Sequence, residues 1–102
     1  KYSLPIAVYG HAGDGNLHPS VLCDLADPEE AKRVHQAVDE IFAAALDVGG
    51  TLSGEHGIGI TKQPYVTQAL GEAGVKTLMA VKKALDPKGI LNPGLLVEEG
   101  AR

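Results

Sequence analysis

The stretch LPIAVYGHAGDGNLHPSVLCDL, residues 4–25, decides the architecture. Leu4 to Tyr9 is short and carries β-branched and aromatic side chains, which predicts a strand. A glycine-rich loop runs from Gly10 to Asn16. Leu17 to Leu25 alternates loosely and predicts a second strand, so the pair reads as an antiparallel hairpin around a structured loop. Pro5 and Pro19 lie in or beside these strands, where proline is tolerated at strand starts and edges.

Helices follow. Asp27 is a good N-cap, Pro28 suits the first helical position, and Glu30 completes a capping-box pattern. Ala31, Val34, Val38, Ile41, Ala45 and Val48 recur in steps of three and four and form one apolar stripe. Gly49 and Gly50 end that helix, since glycine takes the left-handed cap conformation without penalty. Gly50 to Gly59, GTLSGEHGIG, is neither a regular helix nor a clean strand. Pro64 to Leu70 predicts a short helix closed by Gly71. Val75, Leu78, Val81 and Leu85 mark another, with Lys82 and Lys83 near its C-terminal end, where cations are favoured. Asp86-Pro87 stops it, and DPKGILNPG, residues 86–94, is turn chemistry. The end of the chain, Glu98 to Arg102, is expected to fray.

Strands first and helices afterwards predict an α+β fold, an antiparallel sheet with helices packed on one face. A lone hairpin is marginal, so further strands are expected from upstream sequence or another chain. The opening at Lys1 reads as a piece of a longer protein. Its 102 residues amount to one domain.

Composition narrows the function. Nine basic and thirteen acidic residues give a net charge of −4, which argues against a nucleic-acid binder and a polybasic membrane anchor. No apolar run approaches the roughly 18 residues of a transmembrane helix, and no signal peptide is visible. The single cysteine, Cys23, excludes an internal disulfide framework and a cysteine-based zinc site. A lone thiol fits a reducing, cytoplasmic compartment, the inner face of a membrane included.

The chemistry-bearing residues cluster in the glycine-rich loops. His11 and His18 flank the first, and a closed hairpin brings them together. Two imidazoles held that way can share one metal ion at about 2.0–2.1 Å. Glu55, from the second loop, could complete a His-His-Glu set with an open position, the pattern of catalytic metal. Adjacent side chains on an extended segment point apart, which leaves His56 for proton transfer, a task that imidazole chemistry suits. Neither loop is followed by Lys-Ser or Lys-Thr, against a P-loop, and the HExxH spacing is absent. His35 is expected to be solvated and idle, Cys23 to be a small core residue, and Met79 a gap filler. Set against these readings, a GDG turn taken alone is only a turn.

Three motifs, GHAGDGNLHP (10–19), GGTLSGEHGIG (49–59) and ALDPKGILNPG (84–94), resemble in order and separation the C-terminal domain of FAD-linked oxidases. That family includes the FAD subunit of glycolate oxidase, D-lactate dehydrogenase and D-2-hydroxyglutarate dehydrogenase. The resemblance runs from about Tyr9 to Val97. It implies a ferredoxin-like, substrate-capping domain that works with an N-terminal FAD-binding domain of the parent chain. His11 and His18 match the family's metal-binding histidines, Glu55 its metal-binding carboxylate, and His56 its catalytic base. Asn92 matches a residue expected near the flavin, and Lys62 a basic residue with no assignable role. Some relatives carry Asn two residues after the second histidine, where this chain has Ser20.

The implied activity is oxidation of a 2-hydroxy acid such as glycolate or D-lactate to the 2-oxo acid. FAD and a divalent metal (zinc, iron or manganese) are the implied cofactors. The implied partners are the small-molecule acid, the FAD-binding domain and an electron-acceptor subunit. Apolar surface exposed without that domain would favour homo-oligomers. The alternatives are a non-catalytic metal-binding or oligomerisation module and a regulatory small-acid-binding domain.

Overall fold

A computed structural model describes residues 1–96; Glu98 to Arg102, expected to fray, lie outside the described residues. Two antiparallel strands come first, β1 (Ile6–His11) and β2 (Asn16–Val21). Three helices follow, α1 (Pro28–Asp47), α2 (Gly59–Lys62) and α3 (Val66–Leu85), with a 3₁₀ turn, Gln63–Tyr65, before the last. The α+β class is as predicted. A ferredoxin-like sheet has four strands, more than the two present among the described residues. The chain forms two compact units, one of residues 1–47 and one that begins at Val48.

In the first unit, both strands sit closer to the loop than predicted. β1 runs on through Gly10 to His11, and β2 begins at Asn16 and ends at Val21 rather than Leu25. The Leu22 N–H still reaches the Pro5 carbonyl at 2.9 Å. Beyond it the chain turns away: the Asp24 carboxylate accepts the Ala26 N–H at 2.9 Å, an Asx turn that competes with strand pairing. Cys23 lies in this segment and is exposed, not a core residue as expected.

α1 starts where its cap places it. The Asp27 carboxylate accepts the Glu29 N–H at 2.9 Å and the Glu30 N–H at 3.4 Å. The Asp27 N–H goes to the Asp24 carbonyl at 3.2 Å, so the turn supplies the bond that a capping box takes from its third residue. Gly49 closes the helix at φ +80°. Ala37 is the side chain of α1 that is buried, while Val48, the last position of the predicted stripe, is 85% exposed beyond the helix end.

In the second unit, α2 is a turn of helix in a segment the sequence gives no period for. Gly71 interrupts α3 at φ +65°, ψ 174°, which is the helix end predicted there; the chain resumes helix on the far side. Val66, 1% exposed, is the most fully buried large side chain described. The turn after α3 closes on Asp86, 5% exposed. Its carboxylate accepts the Ile90 N–H at 3.1 Å and the Leu91 N–H at 2.9 Å, and pairs with the Lys82 ammonium.

The Lys82 ammonium and the Leu91 and Ile90 N–H groups hold the Asp86 carboxyl below its ordinary range. A carboxyl depressed on folding stabilises the fold above its unfolded pKa, about 3.9; that contribution is lost as pH falls through the lower folded value. Asp86→Asn therefore lowers the thermal midpoint at neutral pH and removes this acid limb, as calorimetry from pH 7 down to pH 2 will show. Asp27→Ala costs about 1 kcal/mol of cap energy, measurable by urea unfolding.

Candidate functional site

β-pairing places the first two candidate ligands. The register pairs Tyr9 with His18 and His11 with Asn16. Side chains alternate between the faces of a strand, so Tyr9, His11, Asn16, His18 and Ser20 share one face. Ile6, Val8, Leu17 and Val21 take the other. His11 and His18 are diagonal neighbours, the reach over which long side chains still meet. Their ring centres are 5.4 Å apart and nearly perpendicular, at 85°.

Tyr9 packs edge-on against the half-buried His18 ring at 5.4 Å, so that ring meets both Tyr9 and the exposed His11. The Ser20 hydroxyl donates to the Tyr9 hydroxyl at 3.4 Å. No sequence motif marks Tyr9 as a site residue. Its signal was strand parity, two residues before His11.

The loop that joins the strands is Ala12 to Gly15. Its Asp14 N–H returns to the His11 carbonyl at 3.0 Å, and Gly15 sits at φ +66°, where a side chain is strained. Gly10 is required for a different reason. A Cβ there would lie 2.1 Å from the Asn16 carbonyl oxygen, backbone of the facing strand. Glycine lets the strands close one residue pair before His11 and so fixes where both imidazoles stand.

In the second unit the structure brings Glu55 and His56 together. The predicted divergence fails because residues 54–56 are a run of bends, not extended chain. His56 Nε2 lies 3.7 Å from Glu55 Oε1, and both side chains are substantially exposed. His35 is exposed on α1 and Lys62 is half-buried at the end of α2. Asn92 lines a groove of about 590 Å³ in the turn after α3 and has φ +44°. The donors suit their proposed tasks: two imidazoles on a glycine-fixed hairpin can each offer one nitrogen to a borderline cation, and a carboxylate adds a harder oxygen.

Comparison with known proteins places the whole described chain. The family described as FAD linked oxidases, C-terminal domain, matches residues 1–96. The chain is 47% identical over its full length to glycolate oxidase subunit GlcD of Bacillus subtilis, covering 22% of that protein. It is 43% identical to GlcD of Escherichia coli K12 over 92% of its own length and 19% of that protein's. Against the mitochondrial D-lactate dehydrogenase [cytochrome] 1 of Saccharomyces cerevisiae it is 46% identical over 85% of its own length and 14% of that protein's. The chain thus spans about a fifth, or less, of the length of these relatives.

Gly10→Ala is expected to break the strand register at the loop. Backbone strain of this kind costs about 1–3 kcal/mol, and urea unfolding measures it. Proton NMR should show the His11 and His18 ring signals losing their mutual ring-current shifts, while the helical signal in circular dichroism persists.

Proposed function

The chain belongs to the family of C-terminal domains of FAD-linked oxidases, and from that premise we propose that it is the substrate- and metal-facing domain of a flavoenzyme. The substrate is a 2-hydroxy acid of the glycolate or D-lactate class, oxidised to the 2-oxo acid. The observation that carries the reading is the His11–His18 pair on one face of the hairpin, in a chain whose relatives are named glycolate oxidase and D-lactate dehydrogenase. The FAD-binding domain of the parent chain is the first partner. GlcD carries the name of a subunit, which supports an assembly with further chains; an electron-acceptor subunit is the further partner of this reading.

His11, His18 and Glu55 are the proposed ligands of a divalent metal, and zinc, iron or manganese all suit imidazole with carboxylate. When bound, the metal supplies Lewis-acid polarisation of the substrate oxygens, and the flavin supplies a two-electron hydride acceptor. The remaining work falls to this chain. The hairpin holds two imidazoles at fixed separation, and Tyr9 packed on His18 restricts the ring's rotation. A ring nitrogen of His56 accepts the substrate's hydroxyl proton while the α-hydrogen leaves with its electron pair. Proton and hydride thus depart to different acceptors, and a carbonyl remains.

A positioned base contributes about 10²–10⁴-fold. In the full-length parent, His56→Ala should lower kcat for a D-2-hydroxy acid by that factor; a wild-type rate would remove His56 from the role of base. His11→Ala should lower the metal retained after dialysis, read by elemental analysis. A metal fully coordinated by protein, with no exchangeable water, would instead favour a structural module.

A further inference from the structure

The turn after α3 is clasped on both sides of Asn92. On the N-terminal side, the buried Asp86 carboxylate takes the Ile90 and Leu91 N–H groups at 3.1 and 2.9 Å. The Lys82 ammonium bridges that carboxylate to the Leu91 carbonyl, which it reaches at 2.6 Å. On the C-terminal side, Gln63 donates its Nε2–H to the Gly94 carbonyl at 2.7 Å. Asn92 lies between the clasps at φ +44°, and its own carbonyl takes the Leu95 N–H at 3.3 Å.

This backbone conformation is one that glycine adopts freely and asparagine at a cost. For the turn alone, then, glycine at position 92 would serve better. The asparagine side chain is nevertheless exposed at the groove, and its amide makes no hydrogen bond among the described residues. An amide carried at a backbone cost, with donors and acceptor unused, fits a ligand outside this unit.

We propose that Lys82, Asp86 and Gln63 are positioning residues, which hold Asn92 in its left-handed conformation so that the side-chain amide meets the flavin. The inference rests on the proposed flavoenzyme function and on the resemblance of the LNPG motif, which implies that Asn92 lies near that cofactor. The clasp acts only through Asn92 and touches no reacting atom. A displacement of about 1 Å at such a group can cost as much as 100-fold in rate.

The test uses the full-length, FAD-loaded parent. Its readouts are the flavin absorbance spectrum and midpoint potential, the thermal midpoint, and kcat and KM separately. Asn92→Gly removes the amide and keeps the turn. It should leave the thermal midpoint unchanged or raised, shift the spectrum and potential, and lower kcat with KM changed less than about twofold. Lys82→Met and Gln63→Leu should shift the flavin signature in the same direction, and neither should add to the shift of Asn92→Gly when combined with it. Lys82→Arg, which restores the bridging cation, should return the signature towards wild type.

If Asn92→Gly leaves the flavin unaltered, the placement of Asn92 beside it is wrong. If Asn92→Gly shifts the flavin but the clasp variants do not, or their shifts add in full, the clasp has no positioning role and the inference falls. Should Lys82→Met fail to fold, Gln63→Leu decides by the same criteria.

Discussion

The close approach of Gly10 to the Asn16 carbonyl governs what this chain can present. The facing backbone occupies the space a β-carbon would need. Glycine therefore lets pairing run to His11 and lets the loop shrink to Ala12–Gly15. Register then follows, and with it parity: a slip of one residue would move His11 or His18 to the opposite face. The arrangement of imidazoles is thus a property of the backbone before it is a property of the side chains, and the Tyr9 ring and Ser20 hydroxyl arrive on the same face by the same count.

Much of this could be read from the sequence, and the parts that could not share a cause. The hairpin, the Asp27 cap, the Gly49 stop and the helix break at Gly71 each depend on one residue's local chemistry, and each stands where that chemistry puts it. The extent of β2 depended instead on competition. From Leu17 onward the pattern continues as strand, but Asp24 offers the backbone an alternative partner two residues on. The directions of Glu55 and His56 failed because they were inferred from extended geometry in a segment that bends. Asp86 reads in the sequence as a stop, and nothing in its neighbours announces that its carboxylate is buried under two N–H groups and a lysine.

Burial is sparse. Among the described residues the buried apolar side chains are Ala37, Leu52 and Val66, while Ile6, Val8, Leu17, Leu85, Ile90 and Leu91 remain exposed. The face of the hairpin opposite the histidines is correspondingly apolar and open. Hydrogen bonds and caps hold local form here to a greater degree than packing does. The Lys1 ammonium and the Tyr2 hydroxyl both meet Glu40 on α1, holding its carboxyl below the ordinary range. Such exposed contacts are individually weak, so the intrinsic conformational preferences of turns and helix ends carry unusual weight.

The break at Gly71 has a consequence for cooperativity. Helical hydrogen bonding cannot propagate through a residue at φ +65°, ψ 174°, so the nucleation cost of a helix is incurred on each side of it. The piece from Val66 to Leu70 is far shorter than the roughly 12 residues at which an isolated helix becomes even marginal. It can persist only through what surrounds Val66, and it is the segment of α3 whose melting can be uncoupled from the rest.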